Sequence, residues 1–205
     1  MKLFFDLDGT LIDSRERLYN LFQCLVPSSE LTFDEYWELK KNKMAHPEIL
    51  KNLFFYSDAE VEKFKTIWLD NIELNKWLDL DKPYDGMNDF LINLKKSCSL
   101  YVVTARQFED KALNQIEKFG WSKMFEKILV TKQKQEKKDL IKTVQGLNSS
   151  DWIIGDTGKD IQTGKELGIK TIAVLSGFMN RENLLEYNPD MIFNNVTEIS
   201  FEGFL

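Results

Sequence analysis

The most constraining feature of this chain is a change of pattern near Pro83. Downstream of it, apolar runs at 100–103, 128–130, 152–154 and 171–175 read as short strands. Stretches at 87–96, 107–119, 136–144 and 160–167 carry apolar residues at helical spacing and lie before or between those runs. A last run, 191–193, suits an edge strand. Strands and helices alternating at this length predict a parallel sheet with helices on both faces. Upstream of Pro83, only Leu3-Phe4-Phe5 has strand character, with the composition of a strand buried on both faces. Residues 15–82 hold no convincing strand.

That upstream stretch carries explicit helix signals. Asp13 followed by Glu16 reads as a helix start, and Leu18, Leu21, Phe22 and Leu25 then share one face. Pro27-Ser28-Ser29 ends it. Thr32 with Glu35, and Ser57 with Glu60, have capping-box spacing, with a shorter segment at 47–55 between them. In the second half Phe90, Leu91 and Leu94 are expected inward on one helix, and Phe108, Ala112, Ile116 and Phe119 on the next. The expected class is α/β: a doubly wound, parallel-sheet, Rossmann-like core from residues 1–14 and 83–205, with an inserted all-helical domain over 15–82. A length of 205 residues suits a core plus an insert, and 43% hydrophobic residues supply the interior.

Charge and cysteine content narrow the partners. A net charge of −6 argues against nucleic acid held through phosphate contacts. The apolar runs are too short to span a bilayer, so no membrane partner is expected. Cys24 and Cys98 have no CxxC spacing, which indicates neither a disulfide scaffold nor a zinc site. Met1 stands directly before the first strand, leaving no room for a signal peptide, and a cytoplasmic location is expected.

The chemistry gathers where the strands end. The first run stops at Asp6, and Leu7-Asp8-Gly9-Thr10 leaves in a turn that uses the freedom of Gly9. Carboxylates two residues apart at a strand's carboxyl end either hold a hard cation such as Mg2+ or divide labour as nucleophile and acid/base, unless both are plain turn residues. The run at 100–103 ends in Thr104-Ala105-Arg106, where Thr104 either caps the next helix, with Gln107 in support, or joins backbone N–H groups as an anion donor. Lys132, Lys134, Lys137, Lys138 and Lys142 form either a solvated charge run or, near a helix start, a place that a phosphate would make comfortable. Gly155-Asp156-Thr157-Gly158-Lys159-Asp160 again ends an apolar run in carboxylates, as N-caps or as ligands. It is not a nucleotide P-loop, because the G-x4-G-K-[ST] spacing is missing.

Taken together, FDLDGTLIDS, the strand ending in Thr104, the lysine near a helix start and GDTGKD resemble, in order, the four motifs of the haloacid dehalogenase-like superfamily. The likeness extends to its phosphatases with a C1-type helical cap, of the phosphoglycolate-phosphatase-like kind. It implies a Mg2+-dependent phosphatase acting on a small phosphorylated metabolite. Asp6 would be the nucleophile and Asp8 the general acid/base. Thr104, the Ala105 N–H and Lys137 would bind the phosphoryl group, with Lys138 or Lys134 as alternatives because the Pro that often follows this Lys is absent. Asp6, Asp8 through its carbonyl, and Asp156 would hold Mg2+, with Asp160 behind them. The insert would be the cap that closes over the site and selects the substrate.

The resemblance leaves other reactions open. A phosphomutase shares the motifs. A phosphonatase would need a cap lysine, for which Lys40, Lys41 and Lys43 are available. A receiver-like phospho-acceptor uses similar groups but is shorter and lacks an insert. Dehalogenation is disfavoured by Asp8. The single His46, ahead of Pro47, reads as a turn residue.

Overall fold

A computed structural model describes residues 1–200; residues 201–205 of the expected core lie outside the described part. Six parallel strands form one sheet: β1 (Lys2–Phe5), β4 (Ser99–Thr104), β5 (Lys127–Val130), β6 (Trp152–Gly155), β7 (Lys170–Val174) and β8 (Met191–Phe193), in the spatial order β5-β4-β1-β6-β7-β8. The chain steps outward from β1 to β4 and β5, then crosses to β6 on the other side of β1. The order therefore reverses at β1, and a sheet of this kind binds its ligand outside the carboxyl ends of the strands at that point.

Strand periodicity puts alternate side chains on opposite faces. Leu3 and Phe5 join Leu100, Val102, Trp152 and Ile154 in one core cluster, with Met87 and Leu91 of α6 (Met87–Leu94) and Ile116 of α7 (Glu109–Lys118). Phe4 points the other way, toward Val103, Ile153 and Ile141 of α8 (Lys137–Lys142). A fourth core helix, α9 (Gly158–Leu167), packs against β6 and β7. Burying such a Phe or Leu contributes about 1.5–3 kcal/mol each, so the aromatic run of β1 fixes the middle of the sheet. The expected α/β architecture is what the chain adopts.

The insert is helical and has its own core. Helices α1 (Arg15–Leu25), α2 (Phe33–Lys41), α3 (His46–Phe54), α4 (Asp58–Asn71) and α5 (Asn75–Leu78) enclose Phe22, Tyr36, Trp37, Ile49, Leu50 and Phe64. Both expected capping boxes form, at Thr32/Glu35 and Ser57/Glu60. His46 is not a simple turn residue: it opens α3, stacks on Phe22 and bonds the Tyr36 hydroxyl at 2.8 Å.

Local details differ from the expectations. Ser14, not Asp13, is the N-cap residue of α1; the Asp13 carboxylate instead accepts from the Arg15 N–H and guanidinium. Asp13 lies in a two-residue strand, β2 (Ile12–Asp13), paired antiparallel with β3 (Lys82–Pro83), which ties together the chain's two passages into and out of the insert. Phe108 is about half exposed rather than inward, because α7 starts two residues later than its periodicity suggests and leaves Phe108 at the N-cap.

Candidate active site

The carboxyl end of β1 delivers Asp6 and Asp8 to opposite sides of one cavity. The Asp6 N–H still pairs with the Ile154 carbonyl at 2.9 Å, so the sheet itself sets its position. Gly9 then turns the chain at φ +79°, in the left-handed region. A side chain at Gly9 or at Gly177 would collide with the Asp156 carboxylate, so both glycines let backbone approach that acid. Asp156, just past β6, is fully buried and accepts from the Phe178 N–H at 2.7 Å and the Thr10 hydroxyl at 3.4 Å.

Lys137 is the lysine brought to this group. It begins α8, is buried, and its Nζ lies 2.8 Å from Asp6 and 2.6 Å from Asp160. Lys138 turns outward to Glu166 at 2.6 Å, and Lys134 is exposed. Neither Asp156 nor Asp160 is an N-cap. Thr157 caps α9, and Asp160 is its capping-box partner, accepting from the Thr157 N–H and hydroxyl while its other oxygen holds Lys137. Thr104 does not cap α7 either: its hydroxyl accepts from the Arg106 N–H at 3.4 Å. Glu73 of the insert meets the N–H groups ahead of α7, accepting from Gln107 at 2.7 Å and Phe108 at 3.2 Å.

The two sides of the cavity differ in charge balance. Around Asp6, the oxygens of Asp6, Asp156 and Asp160 lie within 4.8 Å of one another, and one ammonium pairs with two of them, Asp6 and Asp160. Burial pushes the Asp6 carboxyl up to about 7 against the pull of Lys137. Burial, with Asp6 and Asp160 nearby, raises Asp156 well above the carboxylate range. Three carboxylates in a buried pocket, with one ammonium against two of them, fit a hard divalent cation, which would favour the ionised forms of Asp6 and Asp156.

Asp8 stands in the reverse setting. Arg17 of α1 pairs with it, and Arg106 adds bonds of 2.8 Å from Nε and from Nη2. Burial works against its charge, but Arg106 and Arg17 together outweigh that and hold Asp8 below the usual carboxylate range. Behind the two guanidinium groups lies Asp81, 3.0 Å from Arg17 and 3.2 Å from Arg106. The cavity, about 330 Å3, is lined by Asp6, Asp8, Thr104, Ala105 and Lys137 from the core, and its apolar wall is Leu18, Trp68, Leu69, Ile72 and Phe178. Lys40, Lys41 and Lys43 do not line it.

Arg17, Arg106, Asp81 and Glu73 carry no role in the sequence reading. Arg17 had one signal: it lies four residues before Leu21, on the apolar stripe of its helix. Arg106 stood beside Thr104-Ala105. Asp81 and Glu73 had none, because their partners arrive only through tertiary contact.

Comparison with known proteins bears on the family and the fold. The family model described as haloacid dehalogenase-like hydrolase matches residues 3–174. The phosphoglycolate phosphatase of Mesorhizobium japonicum is 24% identical, over 98% of this chain and 93% of its own. The pyrophosphatase PpaX of Halalkalibacterium halodurans is 24% identical over 96% and 94%. Among solved structures, a haloacid dehalogenase-like family hydrolase of Streptococcus pneumoniae superposes with a TM-score of 0.77 at 24% identity, covering 96% of this chain and 95% of that one, which bears on the fold alone.

Proposed function

Because this chain belongs to the haloacid dehalogenase-like hydrolases, we propose that it is a Mg2+-dependent phosphatase that hydrolyses a small phosphorylated metabolite through an aspartyl-phosphate on Asp6. The observation that carries this reading is the setting of Asp6: a carboxylate at the sheet's switch point, 2.8 Å from a buried lysine and grouped with Asp156 and Asp160. Asp6, the Asp8 carbonyl and Asp156 would hold Mg2+, which when bound would neutralise charge on the phosphoryl oxygens.

The chain's own residues then divide the work. An Asp6 oxygen attacks phosphorus as the bond to the leaving oxygen breaks, and Asp8 gives that oxygen its proton. In the second half Asp8 takes a proton from water, whose oxygen attacks the same phosphorus and frees Asp6. Its guanidinium partners suit Asp8 to the base role; to act as acid it must turn from them toward the leaving group. Lys137, Thr104 and the Ala105 N–H orient the phosphoryl oxygens. Asp160 acts through Lys137, fixing its ammonium.

The insert, residues 15–82, serves in this reading as a cap. It supplies Arg17, Trp68, Leu69 and Ile72 to the cavity, and Glu73 docks it on the loop before α7. The β2/β3 ribbon is the hinge. Two free cysteines, and no helix among the described residues long and apolar enough to cross a membrane, support a cytoplasmic setting. The test is phosphate release from a panel of phosphorylated metabolites with Mg2+ and with EDTA, for wild type and Asp6→Asn. Mg2+-dependent release that falls by about three orders of magnitude or more in the variant is expected, with a phosphoryl adduct on Asp6 in trapped wild-type protein. Near-normal turnover by Asp6→Asn would refute the mechanism.

A further inference from the structure

The leaving group of the proposed reaction lies beyond Asp8, against the wall that the insert supplies, and that wall is apolar. The end of α4 brings Trp68, Leu69 and Ile72 to the cavity, α1 adds Leu18, and Phe178 joins them from the core. With insert and core docked, Trp68, Ile72 and Phe178 stay partly exposed and Leu69 is 38% exposed. Apolar surface left wet beside a catalytic cavity gains free energy when an apolar group covers it. The wall is also braced from behind. Trp68 stacks on Phe64 with ring centroids 5.7 Å apart and meets His46 at 4.2 Å, and Phe178 packs edge-on against Trp37 at 5.4 Å.

The polar groups around this wall are already matched. Arg17 and Arg106 are paired by Asp8 and Asp81. The one Arg106 nitrogen without a partner among the described residues, Nη1, is itself buried. Glu73 spends both oxygens on backbone N–H groups. On the core rim the Thr157 hydroxyl donates to Asp160, and Lys159 pairs with Glu136. Apart from the groups that face the phosphoryl oxygens, the exposed Gln133 is the one polar side chain of the lining with no bond to another described residue. A leaving group rich in hydroxyls or charge would give up its water here for little in return, whereas an apolar ring gains by burial and by contact with aromatic faces and edges.

We propose that the preferred substrates are phosphate monoesters whose leaving alcohol carries an apolar ring, held against Trp68 and Phe178. This rests on the phosphatase reading above and adds the substrate class. The cavity, about 330 Å3, lies at the small end of the roughly 300–1,000 Å3 usual for ligand pockets, which suits a phosphoryl group and a single ring. Trp68 comes from the insert and Phe178 from the core, so the place for the ring forms only where the two meet.

The experiment compares benzyl phosphate, 2-hydroxyethyl phosphate and 2-phosphoglycolate, whose leaving alcohols carry a ring, a hydroxyl and a carboxylate. Wild-type kcat/KM for the benzyl ester should exceed that for each of the others by on the order of 30-fold, and Trp68→Ala should cut that ratio to about 3-fold or less. Leu69→Asn, at the more exposed position, should lower it by about threefold. A wild-type ratio under about tenfold against either polar ester overturns the proposal, and so does a ratio that both variants keep. If neither variant folds, the wild-type ratio decides by itself. Calorimetric binding of the same compounds to Asp6→Asn with Mg2+ should follow the same order. Preferential binding of the benzyl ester without any phosphate release by wild type would sink the phosphatase reading and leave the ring pocket standing; brisk hydrolysis without preference would do the reverse.

Discussion

Asp6 and Asp8 are two residues apart, yet they live in opposite electrostatic worlds. On the Asp6 side three buried carboxylates cluster with a single ammonium, which pairs with Asp6 and Asp160. On the Asp8 side two buried guanidinium groups converge on one partly exposed carboxylate, with Asp81 behind. One side is short of positive charge; on the other, two guanidinium groups are matched by Asp8 and Asp81. The difference teaches that the strand end does not define the site by itself: β1 places both acids, but neighbouring elements decide what each can do.

The comparison can be broken most severely at Lys137, the only cation held against Asp6 among the described residues. Lys137→Met should lower kcat by about 100- to 1,000-fold, the range for losing one preorganised donor to a developing charge. A loss under about tenfold would mean that the Asp6 side does not depend on this ammonium.

A smaller effect, read as stability, sharpens the Asp8 side. Asp8→Asn removes the front counter-ion of two buried arginines and should destabilise the protein by about 3 kcal/mol, or about 10 °C in Tm. The sign follows from its depressed carboxyl. Such a group favours the folded state above its unfolded value of 3.8, and the contribution falls away as pH drops below that value toward the depressed folded one. Unfolding at pH 7 and at pH 3.5 should therefore show the gap between wild type and Asp8→Asn beginning to narrow at the lower pH, with most of it still present.

How much of this was legible in the chain follows from how local each feature is. Leu3-Phe4-Phe5 ending at Asp6, and the runs ending at Thr104 and Asp156, could be read directly because a strand and its turn are written in adjacent residues. Thr32/Glu35 and Ser57/Glu60 were legible for the same reason. The choice among Lys134, Lys137 and Lys138 was not, since it depends on where α8 begins and which way its first turn faces. The β2/β3 ribbon is two residues on each side, too short for any period to show. Arg17, Arg106 and Asp81 lie 89 and 25 residues apart along the chain, and only the docking of insert on core makes them one cluster.

The smallest effect bears most directly on the division of the site into two charged sides. Asp156 carries no arginine and is pushed well above the carboxylate range by burial and by Asp6 and Asp160. Asp6 is raised to about 7. Raised carboxylates support the folded state fully below the unfolded value of 3.8 and lose that support as pH rises, for Asp6 through about 7. Metal-free wild type should therefore lose stability from pH 5 to pH 8, and Mg2+ should restore it at pH 8. The decisive measurement is thermal unfolding of wild type and Asp156→Asn at pH 8, with EDTA and with Mg2+. Without metal the variant should unfold about 3 °C higher than wild type, the reverse of the change at Asp8, and Mg2+ should raise the Tm of wild type only. A variant that is less stable than wild type without metal, or that gains as much from Mg2+, would contradict the account.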